Sequence, residues 1–550
     1  MMFADPVVGK DFFNRGEWVQ LLLKRAASLR HGYRQNVAVL GPQLIGKSSL
    51  LQHFMLQFDD PETVVVYLEL RQKESLHDFV DRYVTVFLHA FLKRVGQEVR
   101  GSESEHLQAF RRVAPRTGEW LEEWLSRRRL LNTTAQFKLL LELSSKTWKE
   151  TSKFILFILD EFDRLLLLEI DEPFAYLGKE IMVQKETMYL LASSETQLAK
   201  RILEQRLSLL FGHFETITLG PFNPEEACEY LEERWNLAAL EENTKQFLIF
   251  LTGGHPFYLN VLGQQLSTFS ASELGHFSKS LLPVLEKALF NAQGILSQYF
   301  SMFFQHLMTG DDSGTIQTVL KALAKGVGTS QALRQSFKGR REPQKKLNRL
   351  LEIGVLSKNG VFYQVTDRLF AFWLRTCFEK KSYVLAGNIS QQSSEFRQEA
   401  EETMKRFSLQ MRQKAREKVT FLFESFNGEK VEIDQKSHLL PRFSKLHLMN
   451  GKVDGAILVG EKENGLWVSS LFEHPVEEEH VAEFLKQCKH LNRPIYQKIL
   501  ISLGGMSPNA RLLAKKEKLW MWERENVNRL LDIFGHGPIL TLSNGKGSHG

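Results

Sequence analysis

The chain has 550 residues, 43% of them hydrophobic and 25% charged, which exceeds the ~250–300 residues that one hydrophobic core serves, so several domains are expected. Its composition excludes a wholly disordered, collagen-like or disulfide-framework chain. With 71 Lys and Arg against 65 Asp and Glu, the positive excess is too dilute to demand a nucleic-acid partner.

Cys228, Cys377 and Cys488 lie far apart and form neither a CxxC metal site nor an even-numbered framework, which fits a reducing, cytoplasmic setting. No apolar run approaches the ~20 residues of a bilayer span, and the N-terminus lacks the basic-then-apolar order of a secretion signal, so no membrane association is expected.

Short apolar runs at Val37–Leu40, Thr63–Leu70, Phe154–Leu159, Met188–Ala192 and Thr216–Leu219 alternate with helical segments. Such runs are those of strands buried on both faces of a parallel sheet, and they predict a doubly wound α/β architecture. The long, charged stretch between the second and third runs, with the polar Gly101–His106, reads as a helical excursion. After Pro221 the strand-like runs cease, and Pro224-Glu225-Glu226 opens a helix with proline and acids in its first turn.

From Ser313 to Phe378, two or three helices precede a hairpin with Asn359-Gly360 at its turn, an order that suggests a winged helix. Ser390–Lys418 is polar and charged and reads as an exposed helical connector. A separate α/β unit follows to about Gly535, and the Gly-, Ser- and Asn-rich end reads as a frayed tail.

Directly after the first strand stand Gly41, Pro42, Gln43, Leu44, Ile45, Gly46, Lys47 and Ser48, then Ser49 and a helix. This is the GxxxxGKS/T pattern in its strand-to-helix setting. Glycines let successive N–H groups and the helix N-terminus face phosphate oxygens. Lys47 would reach the β- and γ-phosphates, and the Ser48 hydroxyl would complete a Mg2+ shell.

The third run ends in Asp160-Glu161-Phe162-Asp163, at the strand edge where ligands collect. Asp160 is placed to hold the metal, and Glu161 to orient and deprotonate water. Asp163 reads as surface or cap. Ser194, after the fourth run, reads either as a sensor of the γ-phosphate or as a helix N-cap.

These motifs together resemble the archaeal-type ATPases, a branch of the STAND and AAA-related P-loop NTPases. Phe12-Phe13-Asn14-Arg15-Gly16-Glu17 is similar to the family's opening motif beside the adenine, and Leu219–Ala227 to the lead into its helical lid. Gly253-Gly254-His255-Pro256 resembles its GxP motif, and Tyr363–Arg375 its winged-helix ending. The resemblance implies a P-loop parallel sheet over 1–220, a helical lid over 221–308, a winged helix over 309–380 and a connector over 381–416. It also implies ATP and Mg2+ as cofactors, with Arg15 and Pro256 at the nucleotide.

Ser208–His213 stands where many relatives carry an SPLYGR-like run, so His213 replaces the usual arginine. Arg201, Arg206 or a partner subunit would then have to supply the cation for hydrolysis, which is otherwise slow. Residues 417–535 resemble PD-(D/E)xK, restriction-endonuclease-like domains, with 536–550 a flexible tail. In that resemblance Asp454 and Glu473 match the metal-holding acids of a second site, but the lysine position is Pro475. The chemistry is broken unless Lys486 or Lys489 reaches the site.

The basic run Lys338–Lys346 would either contact DNA phosphates or form a solvated face. Three functions follow from these readings: an ATP-driven switch, a nucleotide-gated nuclease, and a non-hydrolysing scaffold.

Overall fold

The computed structural model describes residues 5–97, 100–207, 214–308, 313–326, 328–336, 343–378, 389–434, 436–450, 456–463 and 465–539. The chain divides into two compact units, the first comprising Met1–Tyr230, His255–Asn260 and Glu352–Gly354, the second the remainder.

In the first unit, five parallel strands, β1 (Asn36–Leu40), β2 (Thr63–Glu69), β3 (Phe154–Asp160), β4 (Thr187–Ser193) and β5 (Phe214–Thr218), lie in the order β2-β3-β4-β1-β5. The apolar runs become strands because helices cover both faces and leave no side for a polar residue. Every residue of β1 and β4 is buried. One face packs Val37, Val39, Leu156, Ile158 and Leu190 on the helices Gly16–Ser28 and Lys47–Gln57.

The other face packs Ala38, Val66, Phe157 and Leu191 against Phe79, Phe87, Phe110, Leu140 and Phe174. Most of those helical residues come from the stretch expected to be an excursion. Its four helices, Leu76–Arg94, Glu103–Val113, Pro115–Arg127 and Thr133–Thr151, instead build one face of the sheet. Their apolar residues recur at helical spacing and need a partner surface, which the sheet provides. The polar Gly101–His106 run is a capping box, in which Ser102 and Glu105 satisfy each other's main-chain N–H groups.

Among the described residues of the second unit, three helices, Ser313–Ala324, Ser330–Ser336 and Pro343–Glu352, precede the hairpin β7 (Leu356–Asn359) and β8 (Phe362–Val365). A short β6 (Gly328–Thr329) joins the opposite edge of β8. Since Asn359 pairs with Phe362, the two-residue loop is Gly360-Val361, one residue later than the sequence suggests.

The hairpin β9 (Lys430–Ile433) and β10 (Lys436–Leu439) follows, then a sheet of β11 (Lys445–Asn450), β12 (Ala456–Lys462), β13 (Gly465–Phe472), β14 (Ile495–Ser502) and β15 (Trp520–Glu523) in sequence order. The first two pairings of that sheet are antiparallel, and the last two are parallel. The parallel crossovers run through the helices Glu478–Lys489 and Pro508–Lys516.

The expected connector is the 24-residue helix Ile389–Arg412, but it is not exposed all round. Phe396, Ala400, Met404 and Phe407 form a buried stripe, with Phe407 against Phe247 and Phe250 and Phe396 against Phe290. Its polar composition hid a single apolar face.

The β7–β8 turn is closed by β9. The Val361 N–H donates to Lys430 O at 3.0 Å, and Asn359 exchanges two hydrogen bonds with the Glu432 main chain, at 3.0 and 2.7 Å. Gly360 has φ 58°, and a Cβ there would lie 1.9 Å from Lys430 O. Gly360→Ala is therefore expected to cost about 1–3 kcal/mol, read as a lowered urea midpoint. An unchanged midpoint would show that this contact does not hold the hairpin.

Candidate functional site

The site forms at the carboxyl edge of the parallel sheet, where the loop from β1 turns into the helix Lys47–Gln57. Gly46 takes φ 99°, a backbone region that residues with a Cβ rarely enter. Its turn sends the Lys47 side chain back over the loop. The Lys47 ammonium is buried and donates to Gly41 O and Pro42 O, both at 3.0 Å, and to Ser194 Oγ at 2.8 Å. Burial lowers its pKa, against the opposing pull of Glu161 and Asp160.

The strand order decides what Lys47 meets. Because β4 lies between β1 and β3, Ser194 at the end of β4 stands between the loop and the acids. The Ser194 N–H donates to Glu161 Oε2 at 2.9 Å, and its hydroxyl donates to Glu161 Oε1. A chain of polar contacts thus runs from Lys47 through Ser194 to Glu161. Ser194 does not cap the following helix, whose N-cap is Glu195; its side chain instead joins this chain of contacts.

Ser48 Oγ donates to Asp160 Oδ2 at 2.7 Å. The Glu161 N–H donates to Asp160 Oδ1 at 3.1 Å, and Glu161 itself sits at φ 56°, in the left-handed region. Ser48 and Asp160 fit a magnesium ion, since a hydroxyl and a carboxylate are hard oxygen donors and leave coordination positions for water and phosphate. Asp163 is buried, not on the surface: Ser193 Oγ donates to its carboxylate, and burial raises its pKa. It braces the end of β4.

Arg15 is half-buried, and its guanidinium donates to Ile45 O at 2.6 Å and Gly220 O at 2.8 Å. Burial lowers its pKa to about 10, opposed by Glu226. It lines a cleft with Asn14, Glu17, Trp18, Gly220 and Phe222. Ser49 Oγ accepts the Val7 N–H at 3.0 Å. Pro256 begins the helix Pro256–Leu266, and the preceding His255 hydrogen-bonds the Gln43 main chain.

Arg201 and Arg206 do not join the site: each pairs with a carboxylate, Glu352 at 3.6 Å and Glu172 at 3.2 Å. Residues 208–213, with His213, lie outside the described residues.

The sequence reading missed Tyr67, Arg164 and the part played by His255. The Tyr67 hydroxyl donates to Asp160 Oδ2 at 2.8 Å. Arg164 Nη1 donates to Leu70 O at 2.6 Å, tying the end of β2 to the acidic turn. Alternation along β2 could have put Tyr67 and Glu69 on one face, but the strand order was needed to place that face beside Asp160. Partial burial and the charges of Asp160 and Glu161 raise the Glu69 pKa.

Of the second predicted site, Asp454 lies outside the described residues. Glu473 is exposed just past β13, beside an exposed Pro475. Lys486 is exposed and pairs with Glu483 at 3.9 Å; Lys489 is exposed. No group of three or more His, Cys, Asp or Glu able to hold a metal is found among the described residues. Of the basic run, 338–342 lie outside the described residues, while Lys345 is exposed and Lys346 half-buried. No described helix is long and apolar enough to cross a membrane.

A five-stranded parallel sheet, a glycine-turned loop enclosing a lysine, and a serine bonded to an acid on a nearby strand make the arrangement of a P-loop NTPase. No protein-family model and no curated protein matches the chain. Among solved structures, it is similar to a Walker-type ATPase of Pyrococcus abyssi at 17% identity, with a TM-score of 0.47 over 68% of this chain and 99% of that one. It is also similar to the ORC2 protein of Aeropyrum pernix, at 15% identity and a TM-score of 0.44 over 70% and 98%. A third likeness is to a STAND protein with a tetratricopeptide repeat sensor from Pyrococcus horikoshii, at 17% identity and 0.29 over 68% and 46%. With TM-scores below 0.5, these likenesses carry no weight for fold or chemistry, which rest on the strand order and the loop.

His255 gives a pH signature. Burial lowers its pKa from 6.5 to about 3, and its Nδ1 is buried with no hydrogen-bond partner among the described residues. Between those values the unfolded chain binds a proton that the folded chain refuses, so stability falls as pH falls below about 6.5. From pH 7 to pH 5 this group should remove on the order of 1–2 kcal/mol. His255→Gln should therefore show a smaller drop in thermal midpoint over that interval than wild type; equal drops would reject the assignment.

Proposed function

We propose that the chain is a magnesium-dependent ATPase acting as a nucleotide-driven conformational switch. The observation that carries this reading is the polar chain Lys47–Ser194–Glu161, set beside the Ser48–Asp160 bond at the carboxyl edge of the sheet. Phosphate oxygens would replace Gly41 O and Pro42 O as the acceptors of the Lys47 ammonium, and loop N–H groups of Pro42–Ser49 other than that of Pro42, which has none, would face the same oxygens.

Ser48 and Asp160 would hold Mg2+, which supplies charge neutralisation at the phosphates. Glu161, released from Ser194, would accept the proton of the attacking water as its oxygen bonds the γ-phosphorus; the bond to the bridging oxygen breaks, and ADP leaves. We assign the base to the cleft at Arg15 and propose Pro256 as a further contact of the nucleotide. Arg201 and Arg206 pair with other carboxylates, which supports slow turnover unless a partner subunit supplies the cation.

We assign 1–220 to the ATPase core and 221–308 to a lid. The helices and hairpin within 309–380 read as a winged helix and 381–416 as a connector, in a cytoplasmic protein; of the expected tail 536–550, Ile539 is instead buried and exchanges hydrogen bonds with Asn528 at 2.7 and 3.1 Å, and 540–550 lie outside the described residues. The wing turn is occupied by β9, so contact with DNA would fall to the helix Pro343–Glu352.

Lys47→Ala is expected to abolish ATP binding in calorimetry. Glu161→Gln should bind ATP while phosphate release falls about 100-fold or more. Turnover by Glu161→Gln at the wild-type rate would remove the base assignment.

A nucleotide-gated nuclease is the second reading, favoured by the antiparallel, antiparallel, parallel order of β11–β14 around the helix Glu478–Lys489. With Pro475 in the lysine position and Glu473 exposed, we take residues 417–535 as an inactive relative of that fold. Supercoiled DNA with Mg2+ or Mn2+ should stay uncut. Cleavage lost in Asp454→Ala or Glu473→Ala would reverse this assignment.

A further inference from the structure

We infer that Tyr67 is a positioning residue of the magnesium site, fixing the Asp160 carboxylate in the orientation from which it serves the ion. This inference rests on the Mg-ATP reading above. Asp160 Oδ2 accepts two hydroxyl protons, from Ser48 Oγ at 2.7 Å and from the Tyr67 hydroxyl at 2.8 Å. Its Oδ1 accepts the Glu161 N–H at 3.1 Å. A carboxylate with donors on both oxygens has one orientation, whereas one held from a single side can rotate about its terminal bond.

Placement explains why β2 supplies this donor. Tyr67 pairs in register with Ile158 on β3, and Glu69 with Asp160, so the tyrosine starts two residues short of the acid. A phenol spans that distance where a serine or threonine would not. The ring is half-buried against the sheet's helix-covered face.

Ser48 is itself a candidate metal ligand, and a ligand bound to a cation is less free to orient the acid. Tyr67 has no such second duty. Outer groups of this kind are worth about 10- to 100-fold in metal affinity when removed.

Tyr67→Phe keeps the ring and deletes one O–H. ATP is titrated calorimetrically into the whole chain in Mg2+ and, separately, in EDTA. Tyr67→Phe should match wild type within about 2-fold in EDTA and bind about 10-fold more weakly in Mg2+, with its melting midpoint unchanged. Asp160→Asn should lose the Mg2+-dependent gain altogether. A gain as large as that of wild type in Tyr67→Phe would overturn the inference, and so would equal losses in both buffers, which would mark a packing role. No nucleotide binding by wild type in either buffer would instead sink the ATPase reading and this inference with it.

Discussion

A buried ammonium organises the first unit. Removing the charge of Lys47 from water costs several kcal/mol unless its surroundings replace the lost solvation. Here two loop carbonyls and a serine hydroxyl accept its protons, while Asp160 and Glu161 lie within electrostatic reach. Two carbonyls of its own loop make a modest replacement. Phosphate oxygens carry full charge and would bond the same ammonium more strongly. The loop therefore holds a cation that an anionic ligand would satisfy better than its own carbonyls do, and its left-handed turn at Gly46 keeps that cation in place.

That arrangement depends on strand order more than on any single residue. If β3 adjoined β1, the loop and the acids would be neighbours and no serine could stand between them. With β4 interposed, Ser194 accepts a hydrogen bond from Lys47 and donates one to Glu161, so the ammonium and the carboxylate are coupled through one hydroxyl. The same order leaves β2 beyond β3, where Tyr67 reaches Asp160 from the side away from the loop. The four helices between β2 and β3 matter for a related reason: they supply the apolar cover without which β2 and β3 would expose Val66 and Phe157 to water.

Much of this was legible in the residues. The five apolar runs, the Gly41–Ser48 loop and Asp160-Glu161 are local patterns, and local patterns survive folding when both faces of a strand are buried. Features that needed two distant segments were not legible. Tyr67 is one aromatic between Val66 and Leu68 in a strand until β3 lies beside it. Asp163 reads as a surface acid until Ser193 is seen to bond it, and Ile389–Arg412 reads as a solvated helix because its four buried side chains are outnumbered by charged ones. The β7–β8 turn was foreseen as a turn, but nothing local in Asn359-Gly360 announces that β9 covers it.

The loop main chain is also where separate elements converge. Arg15 donates to Ile45 O and to Gly220 O, so the segment before the first helix and the segment after β5 are joined through the loop. His255 bonds the Gln43 main chain, and it sits between two stretches of chain that belong to the second unit. A ligand that turns the loop N–H groups toward phosphate must reorient the intervening carbonyls, because N–H and C=O of one peptide plane move together. Ile45 O and the Gln43 main chain would then be offered to Arg15 and His255 in a different geometry, and Lys47 would exchange its carbonyl acceptors for phosphate at the same time. Rigid peptide planes in a short loop thus tie three elements far apart in the sequence to one stretch of main chain.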